Sequence, residues 1–276
     1  RTADSAASPR RSRRLGEPSA RRPRARERPA PAVLTRTLPV YLQDASHPQA
    51  QVCAACEVRR NALFGALDDA SLARIHEHIA APEYEADTRI YTRDEPGHAV
   101  WTIRAGVVRF ERTTDRGDRR IVRLAGRGDL IGQEALLRWT YADDAIACTP
   151  VQLCRIPPAL VEDLSESRAR LLRELMARWQ DALDQAQGWV ADLTTGPARR
   201  RVLRLLDALG RYPDAQGRIW LPRREDIGAM LDMTIETASR HLSRLRREAV
   251  IELLPPRHAR LSAPALEQAL RAADAD

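Results

Sequence analysis

The chain of 276 residues contains no lysine, and it has no run of 18 or more apolar residues. The absence of a long apolar run predicts that no helix crosses a membrane. The absence of lysine means that arginine carries all of the strongly basic charge, in a sequence biased toward arginine and alanine. A cluster of arginines is therefore weaker evidence for a nucleic-acid partner here than in an average protein.

Cysteine is also scarce, with only Cys53, Cys56, Cys148 and Cys154. The N-terminal residues lack the apolar segment of a secretory signal, so we expect a cytoplasmic protein. In that compartment four cysteines favour reduced thiols over a disulfide framework.

The formal charge of +7 is unevenly distributed. Residues 1–40 hold 11 arginines against Asp4, Glu17 and Glu27, whereas the remaining residues carry 34 basic and 35 acidic groups. Residues 1–48, rich in Arg, Pro, Ala and Ser, are predicted to be a disordered basic tail. The tail is either an unstructured extension or a basic arm that adds phosphate contacts without sequence preference.

Residues 49–164 change from a helical to a β pattern. The spacing of Leu67, Leu72, Ile75 and Ile79 predicts a helix over 66–80. Apolar and polar residues then alternate from Thr88 to Gly132, punctuated by the turn sequences Asp-Glu-Pro-Gly and Asp-Arg-Gly-Asp, and "AIACTPVQLCRIP" supplies one or two further strands. This is typical of short antiparallel strands in a sandwich or roll.

A long helix is predicted from Ser165 to Leu193, within a dimerisation segment 165–195 that Thr195-Gly196-Pro197 ends. Its apolar residues recur at alternating steps of three and four, which is the seam that a helix uses to pair with a second helix. A stripe packed on the chain's own core has the same spacing. The seam residues are Leu172, Leu175, Trp179, Leu183, Ala186, Val190 and Leu193.

Residues 196–276 contain the clearest motif, "LPRREDIGAMLDMTIETASRHLSRLRRE". A short helix over 226–231, a tight turn at 231–234 and a second helix to about Glu248 with Thr234 as its N-cap describe a helix-turn-helix. Ala238, Leu242 and Leu245 would form its buried face, with small Gly228 and Ala238 where the helices touch. "AVIELLPPRHARL" adds two strands joined at Pro255-Pro256, a small wing.

The second helix carries side chains suited to a major groove. Glu236, Ser239 and Arg240 share one exposed face: Glu accepts from cytosine N4–H, Arg binds guanine O6 and N7, and Ser bonds a base edge or a phosphate. His241 and three arginines farther along are placed to reach phosphates, and the latter are Arg244, Arg246 and Arg247. A solvated helix with mixed charges is the plain alternative.

Together these segments resemble the CRP/FNR family of bacterial transcription regulators over about residues 50–265. The resemblance implies an α+β fold, with an N-terminal antiparallel β-roll (a cyclic-nucleotide-binding-like jelly roll), a long dimerisation helix and a C-terminal winged helix-turn-helix. It implies a homodimeric activator that binds a palindrome of double-stranded DNA with TTGAT-type half-sites and contacts RNA polymerase. Glu236, Ser239 and Arg240 match the FNR-like branch, whereas Asp232 stands where the turn often carries Gly, a position that Asp tolerates.

The stretch "GQEALLRWTYADDAIA" departs from the cassette by which relatives of this family hold a cyclic nucleotide. Gln133 interrupts the Gly-Glu pair, and Asp143 and Asp144 stand where Arg and Ser or Thr are expected. Because carboxylates repel a phosphate, we predict that no cyclic nucleotide is bound.

A cupin-like metalloenzyme is a remote alternative, since "HEHIAAPE" places His76, His78 and Glu83 at a spacing that resembles a metal motif. These residues are predicted to lie at a helix end before the first strand, which a solvated helix end explains.

The resemblance also implies a role for three thiols. FNR-like oxygen sensors hold a [4Fe–4S] cluster with three N-terminal cysteines and one in the roll. Cys53, Cys56 and Cys154 occupy three of those positions, while Phe64 occupies the remaining N-terminal one. Cys148 would face the same side as Cys154 but about 20 Å away on a regular strand, too far unless the strand bends at Pro150.

Four interpretations of these thiols stay open. One is a cluster whose fourth ligand is Glu57 or water, and another is a cysteine redox switch. The thiols could also be a relic, or the regulator could respond to another small ligand without any iron–sulfur cluster.

Overall fold

The computed structural model describes residues 78–167 and 169–275. The predicted tail 1–48 and nearly all of the predicted helix 66–80 lie outside these residues. The first described segment contains eight strands, with a short 3-10 helix between the sixth and the seventh. The strands are β1 Glu83–Tyr84, β2 Arg89–Tyr91, β3 Val100–Ala105, β4 Val108–Thr113, β5 Arg119–Ala125, β6 Leu130–Ile131, β7 Asp144–Ala147 and β8 Val151–Ile156.

These strands form two four-stranded antiparallel sheets, in the orders β1-β8-β3-β6 and β2-β7-β4-β5. Aromatic rings join the sheets, since Tyr91 of β2 stacks on Trp101 of β3 with ring centroids 5.1 Å apart and on Tyr141 at 4.1 Å. The buried Tyr141 hydroxyl accepts from the backbone N–H of Ala99 and donates to its carbonyl. The predicted β-roll is thereby confirmed.

The two predicted turns have different outcomes. The turn at 115–118 joins β4 to β5 as a hairpin, with Gly117 at a φ of 85° that a residue without Cβ adopts easily. The turn at 94–97 instead links β2 to β3, which belong to different sheets. No hairpin forms there, because a turn sequence sets the local bend but not the strand that pairs.

Helices dominate the remainder of the chain. They are α1 Pro158–Ser167, α2 Ala169–Leu193, α3 Ala198–Leu209, α4 Arg224–Leu231, α5 Ile235–Arg247 and α6 Ala263–Ala275. The predicted start of the long helix, Ser165, lies within α1, which begins with Pro158, a residue that suits a first helical position; α2 is described from Ala169 onward.

Helix α2 ends as the sequence predicts. The hydroxyls of Thr194 and Thr195 donate to the carbonyls of Val190 and Ala191, which have no further helical N–H to accept from. Gly196 then takes a φ of 82° and Pro197 leads into α3.

The residues of the predicted seam on α2 differ in exposure. Leu175 and Leu193 are buried within the chain and Ala186 is half-buried, whereas Leu172, Trp179, Leu183 and Val190 stay between 39% and 62% exposed. Met176, which was not part of the predicted seam, joins the exposed group. This leaves a line of apolar side chains at heptad spacing on the surface of the described chain.

The C-terminal residues form a winged helix domain. Strands β9 Ile219–Trp220, β10 Ile251–Leu254 and β11 His258–Leu261 make an antiparallel sheet in the order β10-β11-β9. Its core, drawn mainly from α3, α4 and α5, is continuous with four buried residues of the roll. Those four residues are Val107, Ile121, Leu124 and Cys148.

Candidate nucleic-acid interface

The first helix of the pair, α4, begins two residues earlier than predicted. The Asp226 carboxylate accepts from the backbone N–H of Arg223 at 3.3 Å, which caps the helix N-terminus. The helix ends at Leu231, and Asp232 follows as its C-cap with a left-handed φ of 53° and ψ of 56°, as the tolerance of Asp for that conformation predicts. The turn passes so close that a Cβ on Gly228 would lie 2.7 Å from the Met233 carbonyl oxygen. Gly228 is thus required by the turn rather than by contact with the second helix.

The second helix, α5, starts at the predicted cap. The Thr234 hydroxyl oxygen accepts from the backbone N–H of Thr237 at 3.3 Å. On the inner face Ala238, Leu242 and Leu245 are fully buried, as expected from their spacing. Because one face is committed to the core, the opposite face must point away from the protein.

That outer face holds the predicted base-contacting residues. Glu236 and Arg240 are exposed and Ser239 is half-buried. Hydrogen bonds from its own backbone N–H and from Thr234 hold the pKa of the Glu236 carboxyl below its usual range, so it is an acceptor at neutral pH. Among the described residues Arg240 makes no hydrogen bond or ion pair, so its donors are available to a partner.

The residues predicted to contact phosphates differ in whether they already have partners within the protein. Arg244 donates to Glu248 at 2.8 Å, and Glu248 also accepts from Arg199 of α3, so Arg244 is already engaged. Burial, together with the charges of Arg199 and Arg240, lowers the pKa of His241. The His241 imidazole is therefore neutral at pH 7. Arg246 and Arg247 are exposed.

The roll offers a different environment at the position of the nucleotide cassette. Asp143 accepts from Arg112 at 2.8 Å, and Asp144 accepts from the backbone N–H of Arg93 at 2.8 Å. The guanidinium of Arg123 lies over the Phe110 ring, 3.8 Å from its centroid. The cations near this segment are thus engaged by carboxylates and an aromatic ring.

Two of the four cysteines lie in the described residues, and they differ in access. Cys148 follows β7 and is 2% exposed, and burial raises the pKa of its thiol to about 12. Cys154 lies on β8 in the other sheet, where buried Val151 and Leu153 alternate with half-buried Gln152 and Cys154. The stretch forms two strands, one of the two outcomes that its sequence allowed, because the chain turns at Thr149-Pro150 and crosses between sheets.

Cys154 can therefore serve as an iron ligand from the outer side of its sheet, whereas Cys148 does not fit that role. Cys53, Cys56, Glu57 and Phe64 lie outside the described residues.

Only part of the cupin-like motif lies in the described residues. Glu83 lies on β1, not before the first strand, and accepts from Gln152 at 2.9 Å. His76 lies outside the described residues, and within those residues no three His, Cys, Asp or Glu side chains are grouped to hold a metal ion.

Comparison with known proteins identifies the family that has this architecture. A family model for the cyclic nucleotide-binding domain matches residues 82–168, and one for the Crp-like helix-turn-helix domain matches residues 200–269. The chain belongs to the CRP/FNR family. Members of that family with this fold are transcription regulators rather than enzymes.

Its relatives indicate the FNR-like branch of the CRP/FNR family. The transcriptional activator protein FnrL of Cereibacter sphaeroides is 27% identical over 75% of this chain and 86% of its own length. The nitrogen fixation regulation protein FixK of Bradyrhizobium diazoefficiens is 29% identical over 82% of this chain and 96% of its own length. The solved structure of FixK2 from Bradyrhizobium japonicum aligns with a TM-score of 0.62 at 26% identity, covering 69% of this chain and 96% of that chain.

Within the described residues of this CRP/FNR protein, no helix is both long and apolar enough to cross a membrane.

The sequence analysis missed one set of residues, the charged side chains on β4, β5 and α4 that join the roll to the winged domain. The feature of the sequence that could have revealed them is a series of charged residues within strands whose other residues are mainly apolar.

The cap on α5 gives a direct test of how this helix is held. Replacing Thr234 by Ala should lower the free energy of unfolding of the winged domain by about 0.5–2 kcal/mol, because the Thr237 N–H loses its acceptor. Thr234→Ser retains the hydroxyl and should melt like the parent. Thermal unfolding monitored by circular dichroism measures both variants. If Thr234→Ala melts at the same temperature as Thr234→Ser, the cap does not contribute to stability.

Proposed function

We propose that this CRP/FNR protein is a transcription activator that, as a homodimer, reads a palindrome of TTGAT-like half-sites and responds to oxygen or redox state. The observation that carries the DNA-reading part is the N-terminal half of α5. There Glu236, Ser239 and Arg240 stand on a face opposite a fully buried stripe. A helix held in this way can enter a major groove without losing its core contacts.

The three side chains divide the recognition chemistry. Arg240, with no partner of its own among the described residues, can donate two hydrogen bonds to guanine. The Glu236 carboxylate can accept from cytosine N4–H, and Ser239 can bond a base edge or a phosphate. The backbone at the N-terminus of the helix, opened by Thr234, favours a phosphate nearby.

The remaining polar residues of α5 supply affinity without sequence information. Arg246 and Arg247 can contact phosphates as they stand, whereas Arg244 must exchange its contact with Glu248. His241 would gain a proton beside a phosphate, since its pKa is held low only by burial and by nearby arginines.

The exposed seam of α2 supports pairing of two copies. Leu172, Met176, Trp179, Leu183 and Val190 lie at steps of three, four and seven residues, which keeps them on one side of the helix. Large apolar side chains in such a line are stabilised by a facing helix. A second copy would bring a second α5, the helix that we call the reader helix, and a palindromic operator requires two such helices. The protein would act in the cytoplasm. Activation would then proceed through contact with RNA polymerase.

The response to oxygen or redox state rests on Cys53, Cys56 and Cys154. The name of the relative FnrL and the half-buried position of Cys154 support it. Cys148 does not support a fourth thiolate ligand, because its side chain is buried and burial raises the pKa of its thiol to about 12. A cluster held by these three thiols would need a ligand that is not cysteine. When bound, it would supply an oxygen-labile group at the outer side of the roll.

Replacing Arg240 by Ala should weaken binding to a TTGAT palindrome by about 1–3 kcal/mol and relax selectivity at one G·C pair, since a bidentate contact to guanine is lost. Arg271→Ala, on the exposed side of α6, is the matched control and should bind like the parent. Gel shifts at fixed salt would measure both. An Arg240→Ala protein that binds the palindrome as tightly as the parent removes Arg240 from base reading.

Replacing Leu183 by Asp should raise the dimer dissociation constant by a factor of roughly 100 or more, because a carboxylate would be buried in an apolar seam. Ala177→Asp places the same charge on an exposed position of α2 outside the seam and should leave the dimer intact. Sedimentation equilibrium distinguishes the two. If Leu183→Asp remains dimeric, the seam is not the interface.

Anaerobic purification followed by iron and acid-labile sulfide assays tests the sensing role. The parent and Cys148→Ala should contain about four irons and four sulfides per chain, and Cys154→Ser should lose them. Exposure of the parent to air should release the iron and weaken DNA binding.

Iron-free parent protein whose DNA binding still changes reversibly on thiol oxidation would indicate a cysteine switch instead. Iron-free protein with unchanged DNA binding would overturn both versions and leave a regulator of another small ligand.

A further inference from the structure

Six charged side chains form a closed ring where the roll meets the winged domain. We call them the interdomain ring, and they alternate in sign. The roll provides four and the winged domain two, and in order they are Asp87, Arg109, Glu111, Arg119, Asp226 and Arg257.

Every neighbouring pair in the interdomain ring is within ion-pair distance. In the roll, Arg109 lies 3.1 Å from Asp87 and 2.7 Å from Glu111, and Glu111 lies 2.6 Å from Arg119. Two links cross between the domains: Arg119 to Asp226 at 2.7 Å, and Arg257 to Asp87 at 3.2 Å. Arg257 also lies 3.6 Å from Asp226, which closes the ring.

Two further contacts reinforce the crossing. Arg223, the residue before α4, donates to Asp87 at 3.1 Å. Arg120 of β5 pairs with Asp232, the residue after α4. Both ends of α4 are thereby tied to the roll.

The burial of the ring makes these contacts mutually dependent. Asp226 is 4% exposed, and Arg109 and Glu111 are below 10%. A charge at such depth is tolerated only with an opposite charge beside it. Separating the domains would remove Arg119 from Asp226 and two arginines from Asp87. The ring therefore favours one docked arrangement over others.

Close packing adds to the contact between the roll and the winged domain. A Cβ added to Gly126 of the roll would lie 2.1 Å from the Tyr212 ring of the winged domain. Cys148 and three apolar residues of the roll share one buried cluster with the winged domain core. In this docked arrangement the outer face of α5 stays open, with Glu236 and Arg240 exposed.

We propose that the interdomain ring is a latch that fixes the direction of the reader helix relative to the roll. Asp87 and Arg119 are positioning residues that act on base reading through α4. Since α2 would join two copies, a fixed docking in each copy also fixes the separation of the two reader helices. The second statement rests on the proposed function, whereas the latch itself does not.

Cys148 is a natural reporter of the latch. Its thiol lies under the ring, next to Arg109, and is both inaccessible and protonated while the domains are docked. Thiol reagents attack the exposed thiolate, so labelling of Cys148 measures how often the contact opens.

The test uses the full chain with N-ethylmaleimide, read peptide by peptide by mass spectrometry. Asp87→Asn should raise the labelling rate of Cys148 about tenfold, in line with the loss of coupled charge pairs, while labelling of Cys154 stays unchanged. Gly126→Ala, which inserts a methyl group against Tyr212, should do the same by a steric route. Glu267→Gln removes an exposed ion pair within α6 and serves as the control.

Unchanged labelling of Cys148 in Asp87→Asn overturns the latch. Asp87 is a partly exposed residue outside the strands, so that variant remains informative if Gly126→Ala fails to fold. Equal acceleration at Cys148 and Cys154 would indicate general unfolding and also overturns it.

Positioning has its own readout, the selectivity for half-site spacing. The parent should lose at least about tenfold in affinity when two base pairs are inserted between half-sites, and Asp87→Asn should lose less, because its readers are free to adjust. Loss of spacing selectivity is not expected from reduced stability alone. Failure of the parent to bind any palindrome would reject the proposed function, while the labelling result would still decide the latch.

Discussion

Burial of one side of α5 is the constraint on which the rest of the winged domain depends. Ala238, Leu242 and Leu245 are fully enclosed by α3, α4 and the wing. A helix of 13 residues with its inner side so committed has no freedom to rotate, so its outer residues are fixed in direction. The cap at Thr234 and the left-handed turn at Asp232 set where that helix starts.

Arginine serves two opposite purposes in this lysine-free chain. In the interdomain ring, guanidinium groups satisfy buried carboxylates, each with more than one partner, which suits the planar fork of five donors. On the outer face of α5, Arg240 has no partner within the described residues. The distinction lies in the surroundings and not in the residue type, which is why net charge alone said so little about function.

The sequence predicted much of the fold because its signals are local. Strand alternation, the turn at Gly117, the heptad spacing of α2 and the capped pair of helices each depend on residues within about ten positions. The sequence left alternatives open where distant segments compete for the same residue. Leu175 and Leu193 have seam spacing but are buried by the chain's own domains, and Cys148 and Cys154 are close in sequence but in different sheets.

The sequence by itself determined the form of α5: where the helix lies, which residue caps it, which face is buried and which polar residues stand opposite. Hydrogen bonding within a helix and periodic burial suffice for that. Only the tertiary structure decided how the reader is joined to the roll, since Asp87 and Arg223 are 136 positions apart and Arg119 and Asp226 are 107. Charges so distant along the chain carry no mark of their partners, because their pairing is set by the packing of two domains and not by any local pattern.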